Sequence, residues 1–189
     1  MSSWSFIFGC FASAITVKFG PGASGSGIAE IMGYLNGVNM PKLIGLETLI
    51  VKVFGVAIAI SAQAAIGKEG PLVHIGTLVG MFVAYYIPFE FLKKFRNDKD
   101  KREFAVYGIA AGVSAAFSAP IGGTLFAYEL SRPSTFWTFG MIWRTFFTSA
   151  VSTYTISLYE HIWRKYIIKA EEEQELSFYL STEGSEKFG

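Results

Sequence analysis

The sequence contains four long apolar stretches that are almost free of charge, and these limit the folds that the chain can adopt. After an apolar first segment they occupy residues 43–66, 70–87, 104–128 and 136–159. A membrane-crossing helix needs about 20 apolar residues, and the stretches at 43–66 and 136–159 fit that length. The pattern predicts an all-α, multi-pass membrane protein; the alternative is a soluble protein with unusually apolar helices.

Glycine and proline interrupt several of these stretches, as at Ser118–Gly123. Backbone polar groups must be paired in lipid, so broken and tilted helices persist only where they line a cavity or pack on protein. A series of broken segments therefore indicates a transport site. Two further segments, Gly20–Gly27 and Gly67–Pro71, are predicted to be turns that lead into helix starts, since glycine permits close backbone approach and proline suits a first helical turn.

Composition excludes several function classes. The net charge is only +1, whereas a nucleic-acid-binding protein presents a basic face. The single cysteine, Cys10, excludes an intramolecular disulfide and a metal site built from cysteines. The sequence predicts no metal site and no cofactor.

The motif Gly25–Glu30 places a small serine, Ser26, between glycines at a predicted helix start. A hydroxyl beside unpaired backbone N–H groups, where the aligned peptide dipoles place about half a positive charge, can bind an anion without a full cation. Ordinary N-capping by Ser24 or Ser26 is the alternative interpretation of this motif taken alone.

The motif Gly67–Pro71 contains an acid and a base between two hydrophobic stretches. Ionisable residues inside a membrane are costly and usually functional. Ionised Glu69, at a helix N-terminus, can take the place of an anion and leave it when protonated. The alternative is a Lys68–Glu69 ion pair at a membrane-edge turn.

The third motif, Gly108–Glu129, is rich in small residues that allow membrane helices to approach closely. By itself this segment indicates packing rather than chemistry.

Together, in this order and spacing, the three motifs resemble those of the CLC family of chloride channels and chloride/proton exchangers. That family typically shows GSGIPE, then GREGP or GKEGP, then a run ending in AAFxAPxGGxLFxxE. The resemblance covers about residues 18–160 and implies one inverted-repeat half of the CLC fold. Three segments look most like the endolysosomal and plant vacuolar branches: the Lys form of GKEGP, residues 72–76 and residues 134–137. This resemblance favours an intracellular membrane.

The resemblance also implies roles for individual residues. Glu69 would be the gating glutamate, and Ser26 would donate its hydroxyl to chloride. Backbone amides around Gly27–Ile28 and Gly70–Leu72 would face the ion path. The anion-binding residues that it implies are Ser26, Gly27, Ile28, Lys68, Gly70, Pro71 and Leu72.

Two departures from the family pattern matter. Ala29 replaces the usual proline of GSGIPE, which reduces preorganisation of the helix start. Exchangers generally carry a second glutamate, the inner proton acceptor, directly after the position of Glu129, and here that residue is the non-ionisable Leu130. The sequence therefore predicts voltage-gated chloride channel activity; a chloride/proton antiporter of endolysosomal type is the alternative.

The resemblance divides the chain into a partial transmembrane domain at 1–160 and a polar inter-repeat loop at 161–189. As about half a pore, the chain is expected to be a fragment that does not conduct alone. Homodimerisation in the lipid bilayer is expected through helices near 120–131 and 138–160. A half-length partner that modulates a complete CLC protein is a further alternative.

An enzyme is the remaining alternative. Gly22–Gly25 matches the GxSG nucleophile motif of rhomboid intramembrane serine proteases, and His74 is a candidate general base for Ser24. This interpretation leaves the motifs at 67–71 and 108–129 unexplained, so the sequence favours a protein that is not an enzyme.

Overall fold

The computed structural model describes residues 2–40, 43–62, 67, 69–86, 97–132 and 137–186. These residues are helical or irregular and include no strand, so the all-α prediction is confirmed for them. The helices are α1 (Ser2–Phe19), a 3₁₀ turn (Pro21–Ala23), α2 (Ile28–Leu35), α3 (Leu46–Ser61), α4 (Glu69–Tyr86), α5 (Asp98–Phe117), α6 (Pro120–Ser131) and α7 (Phe139–Glu186).

The predicted break in the third apolar stretch separates α5 from α6. Ser118 ends α5 in the left-handed region, with φ of 52°, and Ala119 is extended. Pro120 then occupies the first helical position of α6, where the missing N–H costs no hydrogen bond. The turn predicted at Gly20–Gly27 likewise leads directly into α2. At Gly67–Pro71 the helix start was predicted correctly, but α4 already begins at Glu69, so Glu69–Pro71 belong to its first turn.

Helices α4 and α5 pack backbone to backbone through glycines spaced by four residues. A Cβ atom at Gly80 would lie 3.0 Å from the Gly108 Cα, and one at Gly76 would lie 3.0 Å from the Gly112 Cα. Any side chain at these positions would separate the helices, since real Cβ atoms rarely come so close. The sequence prediction of close packing in the third motif is confirmed at this interface.

Buried hydroxyl groups within the helices are satisfied locally. Thr77, Ser114 and Thr145 each donate to the carbonyl oxygen four residues earlier, at 2.7, 2.7 and 2.8 Å. Ser152 instead reaches across from α7 and donates to the Ala111 carbonyl of α5 at 3.0 Å. Such bonds allow polar side chains to enter a core that is otherwise built from apolar residues of α2, α4, α5, α6 and the start of α7.

Helix α3 covers most of the predicted apolar stretch at 43–66, and α7 continues through most of the one at 136–159. Helix α3 ends after 16 residues, and α7 carries Arg144 together with a series of Ser and Thr side chains. Across the described ranges, no helix combines the length and the apolar character that crossing a membrane requires.

The chain divides into two compact units, Met1–Thr153 and Tyr154–Gly189. The loop expected at 161–189 is instead helical as far as Glu186. Residues 161–183 contain neither proline nor glycine and are rich in Glu, which favours helix. The expectation of a loop there was wrong in its local conformation, because a polar composition does not exclude a helix.

Candidate anion site

The turn before α2 is shaped by two glycines in the left-handed region. Gly25 has φ of 66° and Gly27 has φ of 81°, values that L side chains rarely adopt. Gly27 caps α2, and its carbonyl accepts the first bond of this helix from the Ile31 N–H at 3.0 Å. Between the glycines, the Ser26 hydroxyl oxygen lies 3.5 Å from the Ile28 nitrogen. A serine hydroxyl and the N–H groups of a helix start therefore lie side by side.

The first turn of α4 packs directly on this serine. A Cβ atom at Gly70 would lie 2.7 Å from the Ser26 Cβ and 3.8 Å from the Ile28 Cδ1. Glu69, one residue earlier, is partly buried, and its carboxylate lies close to Gly67. The starts of α2 and α4 thus adjoin at Ser26, where the positive ends of two helix dipoles meet.

Lys52, on α3, binds the turn before α2 through its side chain. Its ammonium group donates to the Ala23 carbonyl at 2.8 Å and to the Gly25 carbonyl at 2.6 Å. The residue is only 2% exposed. A buried cation is tolerated when it is hydrogen-bonded, and two carbonyl oxygens supply such partners here.

His74 on α4 packs behind the turn. Its ring is fully buried, and a Cβ atom at Gly27 would lie 2.8 Å from the ring Cγ. Gly27 is therefore required both by its backbone conformation and by the imidazole beside it.

These groups line one cleft of about 790 Å³, within the size range of small-ligand sites. Its walls come from α1, the Ala23–Ser26 turn, the middle of α3 and the start of α4. Ser26, Ile28, Lys52, Glu69 and Gly70 all belong to the lining. An anion in the cleft would meet the Ser26 hydroxyl, the N-termini of α2 and α4 and the positive field of the buried Lys52 ammonium. The Glu69 carboxylate lines the same cleft.

Comparison with known proteins identifies the family of this chain. The family model for voltage-gated chloride channels matches residues 8–180. The chain belongs to the voltage-gated chloride channel (CLC) family. This CLC chain is 44% identical to chloride channel protein D of Dictyostelium discoideum over 155 residues, which are 78% of the chain and 15% of that protein.

Channels and exchangers both occur among the relatives. The CLC chain is 45% identical to chloride channel protein CLC-b of Arabidopsis thaliana over 146 residues, 74% of the chain and 18% of that protein. It is 41% identical to H(+)/Cl(-) exchange transporter 7 of Bos taurus over 156 residues, 79% of the chain and 19% of that protein. The chain therefore spans a fifth or less of the length of these relatives. Their names do not separate a channel from an exchanger for this CLC chain.

Most of the anion-binding residues implied by the sequence meet at the cleft. Ser26, Ile28, Gly70 and Pro71 line it, and Gly27 lies within the turn. Leu72, whose backbone amide the resemblance assigns to the site, lines a separate apolar groove between α4, α5 and α7. Lys68 lies outside the described residues.

Leu130, which the resemblance assigns to the inner glutamate position of exchangers, lies on α6 in the hydrophobic core and is 6% exposed. Its side chain is apolar and packed. A proton acceptor is not available at this residue.

Sequence reasoning did not assign Lys52 to the site, although one signal was present. Lys52 is one of only two charged residues in the stretch 43–66. A lone lysine in an apolar helix must find hydrogen-bond acceptors, but its partners, 27 and 29 residues earlier, cannot be inferred from spacing.

The serine protease alternative finds no geometry to support it. The Ser24 hydroxyl donates to the Pro21 carbonyl at 2.9 Å, while His74 is buried behind Gly27. In the part of the chain that the structure describes, no hydrogen bond joins Ser24 to His74. Members of the CLC family are channels and transporters.

Proposed function

We propose that this chain forms the first half of a CLC membrane domain and takes part in chloride transport, with Glu69 as the gate. The observation that carries the proposal is the meeting of Ser26, the N-terminus of α2 and the first turn of α4 in one cleft. Because the chain spans a fifth or less of its relatives, transport itself is proposed for the full-length native polypeptide.

The cleft suits an anion that must enter and leave. Its donors are a hydroxyl and backbone N–H groups, which replace part of the hydration shell of chloride without the strong hold of an unshielded cation. Among the described residues of the lining the cation is Lys52, and it already donates to two carbonyl oxygens. Chloride binding is therefore expected to be weak and reversible.

Large outward-facing apolar side chains support a location in the bilayer. Phe6, Phe11 and Phe54 are 72, 57 and 61% exposed. Apolar surface of this extent is unusual for soluble monomers and indicates contact with lipid or protein.

The resemblance of residues 67–76 to the endolysosomal and vacuolar branches leads us to propose an intracellular membrane. Imaging of the tagged full-length protein tests this proposal.

Glu69→Gln tests the gate. Without its negative charge, residue 69 no longer competes with the anion for the same position. We therefore expect the chloride affinity of the purified chain in detergent to rise several-fold, which is a gain of roughly 1 kcal/mol or less in binding free energy. In the full-length polypeptide the same change should abolish pH-dependent gating.

Glu47 provides the matched control, since it also lies in the first turn of a helix, α3, but outside the cleft lining. Glu47→Gln should leave chloride affinity and gating unchanged. Retained gating in Glu69→Gln would remove Glu69 from the mechanism.

Passive conduction rather than coupled exchange is proposed because Leu130 cannot accept a proton and is packed in the core. The measurement is the reversal potential of the anion current of the full-length polypeptide across a pH gradient at fixed chloride. We expect no shift with pH. A shift would favour the antiporter alternative, for which the exchange transporter among the relatives is the precedent.

A homodimer is proposed through α6 and the first part of α7. Its support is two exposed stripes spaced by four residues, Ile121 and Leu125 on α6 and Phe139, Trp143, Phe147 and Val151 on α7. Single cysteines on these stripes should cross-link between two differently tagged copies of the full-length protein in membranes. Cysteines at exposed positions of α3, such as Phe54→Cys, serve as the control and should not cross-link.

A further inference from the structure

The second compact unit contains a helical segment with one aromatic face. Residues 159–169 of α7 are all exposed. Large apolar residues recur there at intervals of three and four, which places them within one arc of about 100° on the helix: Tyr159, Ile162, Trp163 and Tyr166. The three aromatic side chains are 64, 56 and 70% exposed. An aromatic face of this size requires a partner that removes it from water.

The cations of the same segment lie outside the aromatic face. Arg164, Lys165 and Lys169 all fall beyond the edges of that arc, and Arg164 is almost opposite its centre. Three cations against one carboxylate, that of Glu160, give the segment a net charge of +2. A helix with aromatic residues on one side and Lys and Arg on the other is typical of segments that bind at the interface of a bilayer.

The types of residue favour a lipid surface over a protein partner. Tyrosine and tryptophan combine an apolar ring with a polar tip, and both are enriched where a bilayer meets water. The rings of Tyr159 and Trp163 stack with centroids 6.2 Å apart and planes 12° apart, which forms one flat apolar surface. Lysine, by contrast, is depleted from protein–protein interfaces, yet this segment carries Lys165 and Lys169.

The charge reverses directly after the segment. Residues 171–175 contain four glutamates and one glutamine. A negatively charged surface attracts the cations before residue 170 and repels the acids after it, and both effects fade within a Debye length. The reversal therefore fixes where contact with such a surface ends, at Lys169.

We propose that residues 159–169 bind the interface of a bilayer and recognise anionic phospholipid headgroups. The aromatic face enters the boundary between headgroups and acyl chains, and Arg164, Lys165 and Lys169 bind the negatively charged groups of the lipid. This binding surface is separate from the cleft at Ser26 and does not depend on chloride binding.

The test uses quenching of Trp163 fluorescence by brominated acyl chains. The full chain is reconstituted into vesicles of equimolar phosphatidylcholine and phosphatidylserine, with bromine on one lipid or on the other. The signal of Trp163 is the difference between the wild type and Trp163→Phe. The ratio of its quenching by brominated phosphatidylserine to that by brominated phosphatidylcholine measures the local enrichment of the anionic lipid.

Phe54→Trp provides the control position. Phe54 is 61% exposed on α3, and the cation of that helix, Lys52, is only 2% exposed. The signal of the introduced indole is the difference between Phe54→Trp and the wild type. Its quenching ratio should be about one, because exposed apolar surface alone does not select a headgroup.

At Trp163 we expect a quenching ratio of about three or more, since each basic residue near the surface attracts anionic lipid. The combined variant Arg164→Gln, Lys165→Gln and Lys169→Gln should return this ratio to about one, while quenching by both lipids persists. Lys99→Gln is the charge control, because the Lys99 side chain is 62% exposed in α5. It should leave the ratio at Trp163 unchanged.

Three results would overturn the proposal. Weak quenching of Trp163 by both lipids would place the aromatic face in water or against protein. A ratio of about one in the wild type would mean that the face meets lipid without recognising its headgroup. An unchanged ratio in the combined variant would remove the three cations from recognition. If that variant does not fold, the comparison of Trp163 with residue 54 decides.

Discussion

Glycine shapes both the α4–α5 interface and the Gly25–Gly27 turn, but for different physical reasons. At the interface, Gly76 and Gly108 have ordinary helical backbones, and the space around them is filled by the partner helix. In the turn, Gly25 and Gly27 have positive φ, and Gly25 has open space around it. The interface uses the small size of glycine to bury surface, whereas the turn uses its conformational freedom to present Ser26. The first region therefore controls stability, and the second controls the site.

The largest expected effect is the loss of stability when the α4–α5 interface is disrupted. In Gly108→Leu the new side chain would collide with the backbone of α4, since even a Cβ atom would lie 2.8 Å from the Gly76 carbonyl carbon and 3.0 Å from the Thr77 Cα. Because the contact is backbone, the helices must separate, and we expect the free energy of unfolding to fall by about 3 kcal/mol or more. Thermal unfolding in detergent, followed by circular dichroism, measures this.

Gly9→Ala is the control, because Gly9 lies in α1 with no atom within 4 Å of an added Cβ. Here stability should be unchanged or should rise by up to about 1 kcal/mol, the difference in helix propensity. Equal stability of Gly108→Leu and Gly9→Ala would show that α4 and α5 do not pack as described.

Gly27→Ala sharpens the comparison at the turn. The alanine would have to adopt φ of 81°, and its Cβ would collide with the His74 ring. The first cost alone is about 1–2 kcal/mol, so we expect chloride affinity to fall more than tenfold while the helix content remains. Titration of chloride into the purified chain, together with circular dichroism, checks both.

Gly25→Ala separates the effect of backbone strain at positive φ from the effect of a steric collision. Gly25 has a similar φ of 66°, but an added Cβ would meet nothing within 4 Å. The loss of chloride affinity should therefore be clearly smaller than in Gly27→Ala. Equal losses in the two variants would mean that the contact with His74 does not hold the turn.

The smallest effect comes from the hydroxyl itself. Ser26→Ala should weaken chloride binding by roughly 1 kcal/mol, about fivefold, the contribution of one hydrogen bond. Ser24→Ala is the matched control, since Ser24 is also exposed in the turn and its hydroxyl donates to the Pro21 carbonyl. If Ser24→Ala weakens binding and Ser26→Ala does not, the serine has been assigned wrongly.

The breaks between helices could be predicted well from the sequence, and the extent of the last helix could not. The break at Ser118–Pro120 and the turns before α2 and α4 follow from glycine and proline chemistry, which acts locally. The helical continuation of α7 to Glu186 was missed because polarity was taken as a sign of a loop. The backbone amide of Leu72 was implied in the site by its motif and stays a prediction, while the residue also lines a different groove, since successive residues of a helix point about 100° apart.

What the sequence alone determined about this chain is its all-helical class, its family and the three motifs, because these depend on residue types at short spacing. Only the tertiary structure decided that Gly70 lies on Ser26, that His74 lies behind Gly27, and that Lys52 binds the carbonyls of Ala23 and Gly25. These contacts join residues 27 to 47 positions apart in the chain. Local patterns cannot encode such distances, since they depend on how α2, α3 and α4 pack against one another.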